Sequence, residues 1–410
     1  MEQGKNAAPA LAAGPDHSLS RFAPELLWQR GDPALGLYVH VPFCRALCSY
    51  CTFAKGLYDE RQAWTWLEGL GREIQVRSTT TWDARPPLST LFLGGGTPSA
   101  LSVSQWDGLG VLLRTHFELL PAGEFTAEAN PESFVSEVAD AMRRSGVNRV
   151  SFGVQSFDPG ELRLLHRLHD QDAIARALGV ARRAGFTNVS LDLMYGLPGQ
   201  TVDGFMRSLE RALSLEPDHL SAYCLSLEPG TVLTEEVDAG RSLRPDGDRS
   251  AEMYARMVER LGQEGYAAYE ISNFARPGRE AAHNVRYWRR EDVIALGPSA
   301  HALLANHRWA NLATLEGWVS SYSEPDRAPK PKPVPGDEAR FEWIFLGLRL
   351  QEGLSIESYL REWGEPFAER YGSIVSRLEG EGLLESVDGW IRLTPRARFL
   401  SDGVFAEFAP

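Results

Sequence analysis

Cysteine is scarce in this chain of 410 residues: there are 4, three of them between positions 44 and 51 and the last at Cys224. So few, so placed, exclude a disulfide-stapled secreted scaffold. No stretch approaches the roughly 20 uncharged apolar residues of a membrane-spanning helix. The opening residues, MEQGKNAAPALAAGP, lack the basic start and apolar run of a secretory signal. Positive charge is also short. There are 42 Lys and Arg against 55 Asp and Glu, a net charge of −13. Nucleic-acid binding draws its affinity from cations that neutralise phosphates, so a nucleic-acid partner is not expected. Arg286, Arg289 and Arg290 make a small basic patch, which reads as a solvated face. Internal repeats are absent. The remaining composition is that of a soluble globular protein, and a reducing cytoplasm is the expected location.

What is present begins with Cys44-Arg-Ala-Leu-Cys48-Ser-Tyr-Cys51. A structural zinc site wants four ligands, usually as two separated pairs. A cubane [4Fe–4S] cluster can instead take three thiolates and leave its fourth iron open. That open iron suits S-adenosylmethionine (SAM), which chelates through its amino and carboxylate groups. One electron can then break a C–S bond and release a carbon radical. Tyr50, just before the last cysteine, is placed to lie beside an adenine. The spacing therefore predicts a radical-SAM cluster loop.

From Leu37 onward, apolar strand-like runs alternate with helical periods. Strands are predicted over Leu37–Pro42, Thr90–Leu93, Glu124–Ala129, Arg149–Val154, Val189–Met194 and His219–Leu225. Runs apolar throughout and joined by helices predict a parallel sheet buried on both faces. The candidate residues all fall at strand C-termini, where barrel enzymes place their chemistry. This favours an α/β fold with a partial (β/α)6 TIM-like barrel over an open doubly wound sheet. Residues 1–34 read as a partly disordered extension and 35–322 as the barrel. Residues 323–336, SEPDRAPKPKPVPG, read as a Pro-rich linker. Over 337–410, helices precede a hairpin with Asp388-Gly389 at its turn, which suggests a small winged-helix-like α+β domain.

Gly94-Gly95-Gly96-Thr97 follows the second strand, where glycines let the backbone approach a ligand and Thr97 can bond an amine or carboxylate. Glu128 ends an otherwise apolar strand, and a carboxylate so placed wants a partner such as a ribose diol or an ammonium. Gln155, Arg167 and Asp192 invite the same argument, with an internal Arg167–Asp192 ion pair as the alternative. In His283-Asn284-Val285-Arg286-Tyr287-Trp288, the imidazole could ligate iron and the aromatic rings could face a planar ligand. On spacing alone a hydrogen-bonded structural histidine is the better reading. His166, His169 and His301 receive no metal role.

Taken together, the blocks YVHVPFCRALCSYCTF, LFLGGGTPS, EANPES, GVQSF, LDLMYGLPGQT, YEISNFA, HNVRYW and GPSAH resemble the radical-SAM family that includes oxygen-independent coproporphyrinogen III oxidase. They look closer to its heme chaperone branch, the HemW type. The resemblance covers Leu37 to the C-terminus. It implies that Cys44, Cys48 and Cys51 bind the cluster. It further implies that Tyr38, Gly95, Gly96, Thr97 and Glu128 hold SAM with Tyr50 near the adenine, and that Gln155, Arg167 and Asp192 contact SAM or a second SAM molecule. True oxidases of the family carry another cysteine two residues after the third ligand, where this chain has Phe53. The H-N-x-x-Y-W signature implies heme binding on a surface with His283, Asn284, Tyr287 and Trp288, and delivery to apo-hemoprotein clients.

The expectation is thus a heme chaperone with a [4Fe–4S] cluster, SAM and heme, served by an external electron donor. A transient membrane or homodimer contact is part of that expectation. Its rivals are oxidative decarboxylation of coproporphyrinogen and a radical-SAM methyltransferase.

Overall fold

The computed structural model describes residues 33–82 and 85–410. The extension expected over 1–34 therefore lies, but for its last two residues, outside the described residues.

Six parallel strands form the frame in chain order: Leu35–Val41, Pro87–Gly95, Glu118–Ala129, Arg149–Gln155, Val189–Tyr195 and His219–Cys224. They are buried on both faces, which is why they read as apolar runs rather than alternating ones. Helices connect them, including Glu60–Thr80, Val103–His116 and Ser136–Ser145. Local sequence starts these helices. Asp59 and Ser102 each accept a backbone N–H from the first turn, and Ser102 with Gln105 forms a reciprocal capping box.

Among the described residues the sheet runs through twelve strands and does not close on itself. A seventh parallel strand, Val293–Leu296, joins on the outer side of Leu35–Val41. The hairpin His301–Leu304 and His307–Ala310 then extends that side in antiparallel register. Buried Glu73 ties this edge to the first helix. It accepts from the Gly297 N–H at 2.8 Å, Trp318 Nε1 at 2.9 Å and Asn311 Nδ2 at 2.6 Å. The architecture is a partial barrel, as the strand pattern predicts.

The Pro-rich stretch is strapped to this sheet. Lys332–Pro333 pairs with the His307–Ala310 strand, and helix Gly336–Arg349 begins three residues later. The C-terminal unit has its own apolar core around Tyr359, Phe367 and Leu378. It continues with helices Ile356–Trp363 and Phe367–Gly380, then the hairpin Leu384–Val387 and Trp390–Leu393. Asp388 and Gly389 at the turn both have positive φ, 50° and 81°, as a tight turn between twisted strands requires. The short strand Leu354–Ser355 pairs beside it, which makes a three-stranded wing.

Candidate functional site

The cysteine loop lies over the C-terminal ends of the strands, at the mouth of the barrel. It is pinned from three sides. The Tyr58 N–H donates to the Cys44 carbonyl at 2.8 Å, and Lys55 Nζ to the Cys51 carbonyl at 2.7 Å. Ser49 donates through Oγ to the Leu164 carbonyl at 2.7 Å and accepts from the Leu233 N–H at 2.8 Å. All three thiols are free. Burial pushes the Cys44 thiol up to about 11, against hydrogen bonding from Thr97. Without a bound cation that thiol stays protonated at neutral pH.

The glycine turn fits beneath this loop. Gly95 has φ +99°, and a Cβ there would stand 2.3 Å from the His40 ring. A Cβ on Gly96 would stand 2.6 Å from the Val41 carbonyl. Only glycine allows this approach. Thr97 Oγ1 donates to Cys44 Sγ at 3.4 Å and accepts from Asn130 Nδ2 at 3.1 Å. Asn130 Oδ1 in turn accepts from Arg167 Nη2 at 2.7 Å, and Arg167 Nη1 reaches Cys48 Sγ at 3.3 Å. Asn130 thus links the glycine turn to the second cysteine. From sequence it has no assigned role, although an Asn-Pro pair directly after an apolar strand is an available signal.

Glu128 accepts from the Gly95 N–H at 3.1 Å. Desolvation, with the nearby Asp192 carboxylate adding, raises it to about 8. Asp192 is also raised by burial and accepts from Ser151 Oγ at 3.0 Å. Arg167 and Asp192 therefore take separate partners, and the alternative ion pair is not formed. Gln155 ends its strand at φ +63°, a left-handed conformation that strains a non-glycine residue. Its Oε1, like Arg167 Nε, is buried without a protein partner. Tyr50 packs against the small apolar cluster of Leu165, Met194, Leu197, Leu225 and Leu233.

These residues fit the cofactors they suggest. Three free thiols on one loop suit a three-thiolate cluster. Among the described residues, no three His, Cys, Asp or Glu side chains are grouped to share one metal ion, whereas a cubane spreads its thiolates over separate irons. The unpartnered Gln155 oxygen and the largely protonated Glu128 are groups that a polar ligand would complete.

The H-N-x-x-Y-W residues lie at the opposite end. They form helix Ala282–Trp288 beneath the strand N-termini. Glu124 caps that helix, accepting from the Ala282 and His283 N–H groups at 3.0 and 3.2 Å. His283 is fully buried. Its Nδ1 shares a hydrogen bond with Thr90 Oγ1 at 2.9 Å, and its Nε2 one with the Tyr287 hydroxyl at 3.2 Å. Burial, with Arg286 adding, depresses it to about 3. The imidazole is thus a buried group with both nitrogens engaged, as the reading of a hydrogen-bonded structural histidine expects. Asn284 is half-buried on the same helix. Trp288 is covered by the Arg349 guanidinium, 4.4 Å from its ring centroid.

A column of rings joins the two ends. Tyr38 stacks on Phe92 at 6.2 Å, Phe92 on His283 at 5.3 Å, and His283 meets Tyr287 edge-on at 5.1 Å. The Tyr38 hydroxyl bonds His40 Nδ1 at 3.0 Å. The basic patch is not a solvated face either. Arg286 bonds Ser89 Oγ at 2.6 Å and the carbonyls of Ala34 and Asp292. Arg290 forms a buried ion pair with Glu342 at 2.9 Å. Only Arg289 stays half exposed.

Similarity to known proteins agrees with this layout. The Radical SAM superfamily matches residues 38–212, and the HemN C-terminal domain matches residues 334–400. A protein named heme chaperone HemW from Bacillus subtilis is 34% identical over 90% of this chain and 98% of its own length. One of the same name from Mycobacterium tuberculosis is 36% identical over 93% of this chain and 96% of its own. The chain belongs to the HemW family of radical-SAM proteins. The solved structure of coproporphyrinogen III oxidase (HemN) from Escherichia coli superposes with a TM-score of 0.81 at 28% identity, covering 92% of this chain and 90% of that one. Barrel, cysteine loop and C-terminal unit therefore form one shared architecture. No helix among the described residues is long and apolar enough to cross a membrane.

Proposed function

We propose that the protein is a heme carrier, which binds heme and passes it to apo-hemoproteins while holding a [4Fe–4S] cluster and SAM at the barrel mouth. The observation that carries this reading is the likeness, over at least nine-tenths of the chain, to relatives named heme chaperones. Cys44, Cys48 and Cys51 would hold the cluster. Gly95, Gly96 and Thr97 would receive the amino-acid end of SAM, with Tyr50 beside its adenine and Tyr38 below. Glu128 would accept hydrogen bonds from SAM hydroxyls or its ammonium, and Gln155, Arg167 and Asp192 would complete the mouth. When bound, the cluster and SAM supply one-electron chemistry at a sulfonium carbon. Apo-hemoprotein clients, an electron donor, a cytoplasmic location and a transient membrane or homodimer contact belong to the same proposal.

Oxidative decarboxylation of a porphyrinogen is the second reading, favoured by the likeness to HemN. Phe53 weighs against it. It stands 64% exposed beside the cluster loop at the position where the oxidases carry a further cysteine.

Anaerobic heme titration of the cluster-loaded protein, read by Soret absorbance alongside a coproporphyrinogen conversion assay, separates the two. Saturable heme binding without porphyrin product is the expected result. Product without specific heme binding would overturn the carrier and restore the oxidase.

A further inference from the structure

Two of the three clustered cysteine sulfurs receive a hydrogen-bond donor from the barrel. Thr97 Oγ1 donates to Cys44 Sγ at 3.4 Å, and Arg167 Nη1 to Cys48 Sγ at 3.3 Å. The donors stand far apart in sequence, Thr97 on the turn after strand Pro87–Gly95 and Arg167 just beyond helix Pro159–Leu164.

Asn130 stands between the two donors and engages both. Its Nδ2 donates to Thr97 Oγ1 at 3.1 Å, and its Oδ1 accepts from Arg167 Nη2 at 2.7 Å. Only one orientation of the amide serves, because a guanidinium gives hydrogens and accepts none. The Asn130 oxygen therefore faces Arg167, and its NH2 group faces Thr97. The Thr97 hydroxyl receives a hydrogen from Asn130, which leaves its own hydrogen for Cys44. One side chain thus sets the direction of both donors. Asn130 is itself fixed: its N–H donates to Ser99 Oγ at 3.1 Å, and its carbonyl accepts from the Ser133 N–H at 3.1 Å. Arg167 is steadied further by the Gly153 carbonyl.

Hydrogen bonds to ligating sulfurs, and positive charge beside them, favour the reduced and more negative state of an iron–sulfur cluster. We infer that Asn130 is a positioning residue, which aims Thr97 at Cys44 and Arg167 at Cys48 and so holds up the reduction potential of the cluster those cysteines bind. The inference rests on the cluster reading of the three thiols and adds the residues that tune it. A charged donor is worth roughly twice a neutral one, so Arg167 carries the larger share.

The test loads wild type and variants anaerobically with iron and sulfide, without SAM. It follows the electron paramagnetic resonance of the reduced cluster against applied potential. Asn130→Asp keeps the side-chain size and the acceptor for Arg167. Its carboxylate, however, draws the Thr97 hydrogen away from Cys44 and offsets the guanidinium charge. At the wild-type midpoint its reduced-to-oxidised ratio should fall about tenfold, a shift of about −59 mV for one electron. Arg167→Gln should fall as far, and Thr97→Val about threefold. Thr97→Ser retains the hydroxyl and should return the wild-type midpoint, which a merely structural role for the Thr97 methyl would not give. Iron and sulfide analysis shows which preparations carry cluster. If Asn130→Asp does not load, the Thr97 pair decides by the same criterion. An unchanged midpoint in loaded Asn130→Asp or Thr97→Val would overturn the inference and leave the cluster reading standing. A wild type that takes up no iron and sulfide would overturn the cluster reading, and the inference with it.

Discussion

The two ends of the barrel differ in how they hold the side chains most like metal ligands. At the mouth, groups stand ready for a ligand: three thiols outside any disulfide, Gln155 Oε1 and Arg167 Nε without a protein partner, and a Glu128 carboxyl lifted to about 8. At the foot, the group that looks most like a metal ligand, His283, has both ring nitrogens bonded and is shut in by Phe92 and Tyr287. A buried polar group without a partner is costly, so it marks a place where something else binds. A satisfied one marks a joint. The mouth is thus the place proposed for the cofactors, whereas the foot is a joint clamped by the C-terminal unit through Arg290–Glu342 and Arg349 over Trp288.

The largest expected effect separates the ends completely. Replacing Cys44, Cys48 or Cys51 by Ala should reduce bound iron and sulfide to near zero by chemical analysis, with the urea midpoint that reports the clamped foot unchanged. Loss of both together would erase the distinction. Next comes the clamp. Glu342 is held ionised, below the usual carboxylate range, by hydrogen bonds from Arg308 and Arg290. Glu342→Ala leaves Arg290 with Asn306 as its remaining side-chain partner and Arg308 with the more distant Glu338, and should cost about 3 kcal/mol in urea denaturation. Unchanged stability would show that the foot is not clamped there.

Acid should act on the foot. His283 is depressed to about 3, so its contribution to stability is present above its unfolded value of 6.5 and is lost as pH falls toward the folded value. Between pH 7 and pH 5, this group alone should remove about 2 kcal/mol in chemical denaturation. His283→Gln should flatten that dependence. The smallest effect sharpens the mouth. Glu128 is largely protonated at pH 7, and donors on SAM favour the carboxylate. SAM affinity should therefore rise with pH, by at most about tenfold per unit, and level off near 8. Glu128→Gln should remove the slope in calorimetric titrations.

The mouth was legible in the sequence because its residues are contiguous. Cys44 to Cys51 and Gly94 to Thr97 are short runs with one chemical meaning, and each follows a strand. The six strands were legible because burial on both faces leaves apolar runs. The foot was not. The Thr90 that satisfies His283 lies 193 residues away in sequence, and no local pattern tells a histidine on a seven-residue helix which way it faces. The seventh strand, Val293–Leu296, was missed because it is only four residues long, and its pairing with Leu35–Val41 spans the whole barrel. The arginines of the supposed solvated face misled for the same reason: Glu342 and Ser89, which bury them, come from distant parts of the chain.

The central claim is that the barrel mouth takes the cofactors while the foot is a structural joint. The direct measurement is an anaerobic titration of the cluster-loaded protein with labelled SAM, run on wild type, Cys48→Ala and His283→Gln. The account predicts SAM binding lost in Cys48→Ala and changed by less than about threefold in His283→Gln. Loss of SAM binding in His283→Gln with the fold intact, or its retention in Cys48→Ala, would contradict it.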